Sequence, residues 1–95
     1  MINTRITNNK VQILSLANRH GIKSLKIFGS MARGDASETS DADFLVEMEE
    51  GYDLFDLGSC LIELQDLLHC KVDMVTKEAL HPRIRENILK EAQSL

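Results

Sequence analysis

Asp41 and Asp43 stand one residue apart at the head of the apolar run Phe44-Leu45-Val46. On a strand, alternate side chains share a face. Asp41, Asp43, Leu45 and Glu47 therefore point one way, and Ala42, Phe44, Val46 and Met48 the other. The second set is apolar and belongs against helices, which leaves two carboxylates side by side on the opposite face. Neighbouring anions raise each other's pKa unless a cation lies between them. Hard divalent ions with oxygen ligands, Mg2+ above all, meet that need. Asp-x-Asp by itself is a weak motif, because acidic pairs are common in loops. A second feature lies upstream, where Gly29-Ser30 directly follows the alternating run Ser24-Leu25-Lys26-Ile27-Phe28. A glycine there lets the backbone turn sharply and approach a ligand closely. The serine hydroxyl and the N–H groups after it, if they open a helical turn, form an anion site suited to phosphate. Arg33, three residues on, carries a forked guanidinium able to reach the same phosphates. Taken alone, this stretch also reads as an ordinary strand-to-helix turn. It is neither a Walker loop nor GxGxxG.

The elements that must position these residues are legible from periodicity. Thr7 to His20 carries Val11, Leu14 and Ala17 at helical spacing, with Gly21 as a C-terminal stop. Ser24–Phe28 is a first strand, Met31 to Ser40 a polar stretch whose start can form one helical turn, and Phe44–Met48 a second strand. Gly51 turns the chain and Asp53 is an N-cap. Leu54, Leu57, Leu61, Leu64 and Leu68 then form an apolar stripe too short for a coiled coil and suited to core packing. Lys71–Val75 is a third strand, and Pro82 opens a last helix with Ile84, Ile88, Ala92 and Leu95 on one face. The order α-β-β-α-β-α predicts an α/β (α+β) domain over residues 1–95, a small mixed sheet packed with helices.

Composition narrows the function. The net charge of -4 is unevenly spread: six basic side chains and no acid precede Asp35, and eleven acids without Lys or Arg run from Asp35 to Cys70. So acidic a segment repels a nucleic-acid backbone, which argues against DNA or RNA binding as the main task. Cys60 and Cys70 lack metal or redox spacing and read as reduced thiols. No apolar run reaches the roughly 18 residues of a membrane span, and the N-terminus lacks a signal-peptide core, so a cytoplasmic location is expected. His69 and His81 have no ligand spacing, His20 reads as a helix C-terminal residue, and Arg83 and Arg85 as a solvated face.

Taken together, Gly29-Ser30, ten residues, then Asp41-x-Asp43 in GSMARGDASETSDADFLVEM is a specific arrangement. It resembles the signature of the DNA polymerase β-like nucleotidyltransferase superfamily. More narrowly, the chain looks like the minimal nucleotidyltransferases, the MNT antitoxins paired with HEPN-domain toxins, through nearly its whole length, including KVDMVTKEALHPRIRENILKEA. The resemblance implies a polymerase β-like nucleotidyltransferase core and a third carboxylate on a neighbouring strand, a position that Asp73 matches. It further implies two Mg2+ ions held by Asp41, Asp43 and Asp73, with ATP as donor gripped by Gly29, Ser30 and Arg33. The reaction implied is in-line transfer of AMP to a hydroxyl, typically a tyrosine, of a cognate HEPN ribonuclease toxin. Ala42 and Met31 depart from the usual pattern, Met31 being expected at the mouth of the site. Two other readings stay open: an antitoxin that masks its toxin by binding, and a small-molecule nucleotidyltransferase. Base preference, the number of nucleotides added and oligomeric state are left open.

Overall fold

Gly21 decides where the first strand begins. Its φ of +77° turns the chain out of a helix, and a Cβ there would lie 2.2 Å from the Tyr52 ring. The computed structural model describes residues 2–37 and 39–95; Met1 and Glu38, the latter one of the eleven acids, lie outside the described residues. Along the chain come α1 (Thr4–Thr7), α2 (Lys10–Arg19), β1 (Ile22–Phe28), α3 (Ser30–Arg33) and β2 (Ala42–Met48). These are followed by α4 (Leu54–Leu68), β3 (Val72–Thr76), a short 3-10 turn (Lys77–Ala79), α5 (Pro82–Glu91) and β4 (Gln93–Ser94).

The four strands form one sheet in the order β3-β2-β1-β4. β1 is antiparallel to β2 and β4, whereas β2 and β3 run parallel. A parallel pair needs a crossover, and α4 supplies it. Register puts Ile27 beside Phe44 and Phe44 beside Met74, so Leu25, Ile27, Ala42, Phe44, Val46, Val72 and Met74 share one face. All are buried in the core with Ile13 and Ala17 of α2 and Leu57, Cys60, Leu64 and Leu68 of α4. The expected mixed sheet packed with helices is thus observed.

Several details differ from the sequence reading. The first helix is broken at Asn8-Asn9 into α1 and α2, and its inward residues are Ile6, Ile13 and Ala17, while Val11 is 77% exposed. On α4, Cys60 replaces Leu61 in the fully buried stripe. A helical period from Leu57 passes between Cys60 and Leu61, so both lie near the inward face and packing against α2 and the sheet decides that Cys60 is the fully buried one. Leu54, the residue after the cap, is 76% exposed. Met31 is 1% exposed and belongs to the core rather than to the mouth of a site, because α3 turns its apolar side inward. The last helix stops at Glu91, contributes no buried residue, and leads into a fourth strand that periodicity does not reveal in two polar residues.

Capping follows the sequence closely. The Asp53 carboxylate accepts from the Phe55 and Asp56 N–H groups at 3.0 and 3.2 Å, and Asp56 accepts from the Asp53 N–H at 2.9 Å, a reciprocal capping box. His20 ends α2 and pairs with Glu63 of α4, tying the two helices under the sheet. Cys60 is a free thiol whose pKa burial pushes up to about 11, consistent with an inert core residue.

Candidate active site

Strand register assembles the site. Phe28 at the end of β1 lies opposite Asp43 on β2, and Asp43 lies opposite Asp73 on β3. Asp43 and Asp73 alternate with the buried Phe44, Val72 and Met74, so both point away from the helical layer, onto the face carrying Lys26 and Leu45. Asp41 is exposed immediately before β2, where the N–H of Ala42 donates to the Lys71 carbonyl at 2.9 Å and continues the pairing toward β3. Beyond the carboxylates, the same face opens into a cleft of ≈ 390 Å³ whose lining includes Lys26, Leu45, Glu47, Lys77 and Leu89.

Electrostatics single out Asp43. Burial first, then the Asp73 carboxylate, then that of Asp41, raise its pKa above the ordinary aspartate value. A group pushed that way by two neighbouring anions favours whatever positive charge comes to it, a proton or a metal. Among the described residues no group of three His, Cys, Asp or Glu side chains is drawn closely enough together to hold a metal ion as it stands. The donor set nevertheless fits a hard divalent ion: all three groups are carboxylates, they repel one another, and they share one open side of the sheet. A cation would have to draw them inward.

Gly29 closes the other side. Its φ of 73° and ψ of -157° lie in a region that only glycine occupies readily. A Cβ on Gly29 would stand 2.5 Å from the Asp43 Oδ2, so the Asp43 carboxylate rests directly against this backbone. α3 starts at Ser30, and the Ser30 and Met31 N–H groups, in its first turn, have no acceptor within the helix. The phosphate-gripping bend expected from Gly29-Ser30 therefore borders Asp43.

Arg33 stands differently from the expectation. Its Nη1 donates to Glu91 Oε1 and its Nε to Asp35 Oδ2 at 3.1 Å, and these hydrogen bonds, to Glu91 first and to Asp35 second, raise its pKa. The guanidinium is already paired with two carboxylates rather than turned free toward a phosphate. Glu91 was missed by the sequence reading, although Gly29 N–H donates to its Oε2 at 3.0 Å. One signal was available: an acid in the last turn of a helix opposes the macrodipole, which favours a base there. Arg85 bonds the Leu80 carbonyl at 3.0 Å and plays no part at the carboxylates.

A strand, a glycine turn bordering an aspartate, and an acidic pair on adjacent strands define a nucleotidyltransferase core, and the sequence matches the nucleotidyltransferase domain model over residues 10–95. The chain belongs to the nucleotidyltransferase domain family. It is 42% identical to the Methanocaldococcus jannaschii protein named "Putative protein adenylyltransferase MJ0435", over 92% of this chain and 94% of that one. It is 38% identical to "Protein adenylyltransferase MntA" of Thermococcus cleftensis, over 80% of this chain and 77% of that one. Among solved structures it is similar to a "putative minimal nucleotidyltransferase", with 42% identity, a TM-score of 0.86, and coverage of 100% of this chain and 97% of that one. It also shares its fold with the toxin–antitoxin complex solved with AMP-PNP, at 19% identity and a TM-score of 0.76, covering 90% of this chain and 71% of that one. Among the described residues no helix is long and apolar enough to cross a membrane.

Proposed function

We propose that the chain is a Mg2+-dependent protein adenylyltransferase acting as an antitoxin: it transfers AMP from ATP to a hydroxyl, a tyrosine's, of a cognate HEPN-domain ribonuclease toxin in the cytoplasm. The observation that carries this reading is the Asp43–Asp73 pair beside the Gly29 turn, with Asp43 raised in pKa by its acidic neighbours. Relatives named protein adenylyltransferases support the donor and the reaction, and the fold shared with a toxin–antitoxin complex supports the partner.

In the proposed reaction Asp41, Asp43 and Asp73 hold two Mg2+ ions. A metal held by these carboxylates would neutralise charge developing on the triphosphate and on the attacking oxygen. Ser30, through its hydroxyl and the N–H groups of the first turn of α3, holds the β- and γ-phosphates. The acceptor oxygen attacks the α-phosphorus in line, the bond to the bridging oxygen breaks, and pyrophosphate leaves. Asp73, the outermost carboxylate on β3, takes the acceptor proton. Positioning and electrostatics provide most of the acceleration, since this chemistry asks little covalent work of the protein. The cleft beside Lys26 and Leu45 leaves room for a protein segment bearing the acceptor.

The test is incubation with labelled ATP, Mg2+ and the protein encoded next to this one. A gain of one or more AMP units on that neighbour, absent with Asp41→Ala plus Asp43→Ala, supports the reading. Unchanged neutralisation of the neighbour by this double variant would instead favour masking by binding, and label passing to a metabolite with no protein present would favour a small-molecule transferase.

A further inference from the structure

α5 is an odd element by its packing. None of its residues is buried, yet the chain at its end reaches back to the glycine turn sixty residues earlier. Glu91 Oε2 accepts the Gly29 N–H at 3.0 Å, and its Oε1 accepts from Arg33 at the far end of α3. Two residues on, Gln93 Nε2 donates to the Ala32 carbonyl at 3.2 Å. Antiparallel pairing of Ile27 with Gln93 and Lys26 with Ser94 fixes this segment to β1. The four-residue α3 is thus held at its start, its last turn and its carbonyl end by the C-terminal segment.

We propose that Glu91 is a positioning residue for nucleotide binding: its carboxylate straps Gly29 to Arg33 and so holds the Gly29–Ser30 turn in its phosphate-receiving shape. The physical need is clear. A helix of four residues cannot hold itself, and Gly29, with a backbone conformation few residues adopt, relaxes readily unless something outside the turn fixes it. Glu91 supplies a charged acceptor at the peptide where the strand ends, and Arg33 completes the strap by occupying the second oxygen. The nucleotide then meets Ser30 and the N–H groups behind it already arranged. This inference rests on the proposed function in that it takes Mg2+-ATP as the ligand.

The experiment measures Mg2+-ATP affinity and amide exchange at Gly29 in the full chain, for the natural protein and for Glu91→Ala, Glu91→Gln and Lys90→Ala. Expected for Glu91→Ala is an affinity about tenfold weaker, with faster exchange at Gly29 and a cooperative melt retained. Glu91→Gln keeps an acceptor for the Gly29 N–H and should recover most of the affinity. Lys90→Ala, on the outer side of the same helix, should bind as the natural protein does. Unchanged affinity in folded Glu91→Ala overturns the proposal, and tighter binding does so too, since it would mean that the carboxylate competes with phosphate. Should Glu91→Ala not fold, Gln93→Ala carries the test: about threefold weaker binding is expected from loss of one neutral bond, and no change overturns the strap. If the natural protein itself does not bind Mg2+-ATP, the functional reading fails, and the strap is judged by Gly29 exchange alone; unaltered exchange in Glu91→Ala or Gln93→Ala then refutes it.

Discussion

Asp43 lies between two opposite demands. Its backbone belongs to the sheet interior, while its carboxylate faces Asp73, Asp41 and the Gly29 peptide. Without a cation, its raised pKa makes ionisation a cost to the fold. Stability from this group is present below the ordinary aspartate pKa and is lost as pH rises through the higher folded value. Glu91 has the opposite sign: Arg33 first, then the Gly29 N–H, lower its pKa, so its contribution is present above the ordinary glutamate value and lost as pH falls through the lower one. Asp43→Asn should therefore raise metal-free stability near neutral pH while abolishing AMP transfer. Thermal melts across the carboxylate pH range, paired with a transfer assay, check both halves. Gly29→Ala should do the reverse of the first half. Strain at its positive φ costs about 1–3 kcal/mol, and the added methyl must displace the Asp43 carboxylate, now 2.5 Å away. Denaturant unfolding should show a loss of that size, with nucleotide binding lost as well.

At the scale of elements, the site depends on two elements that carry none of its carboxylates. α4 makes the parallel Asp43–Asp73 pairing topologically feasible, and it begins at the Asp53–Asp56 capping box. Asp53→Ala should cost about 1 kcal/mol, lowering Tm by roughly 4–8 °C for a domain of this size, with Mg2+-ATP affinity unchanged under conditions where the protein remains folded. A calorimetric scan and a binding titration separate these effects. β4 is the second element: two residues on the sheet edge bring Glu91 and Gln93 to α3. Its pairing partner, β1, runs directly into Gly29, so strand, turn and strap form one mechanical unit.

At the scale of the whole molecule, 95 residues support only a small core, and any ligand that binds the native state adds visibly to its stability. Mg2+-ATP at about 100 times its Kd should add ~2.7 kcal/mol. A thermal-shift series should show this gain, and EDTA in excess over Mg2+ should erase it. What the sequence determined by itself was local or periodic. The Asp-x-Asp spacing, the glycine after a strand, the Asp53 cap, the leucine helix and Pro82 at the start of α5 each report on residues a few positions apart, where backbone geometry fixes the outcome. The same locality explains the errors. Which residues of α2 and α4 face inward depends on what lies beneath them, and so Ile13 and Cys60 are buried while Val11 and Leu54 face solvent. The resemblance implied Asp73 as a third carboxylate, but no local pattern did; the tertiary structure set it beside Asp43, paired Arg33 with Glu91, and brought Glu91 to Gly29. Those three pairings join residues 30 to 62 positions apart, and only the assembled sheet, whose strand order is not the order of the chain, brings them together.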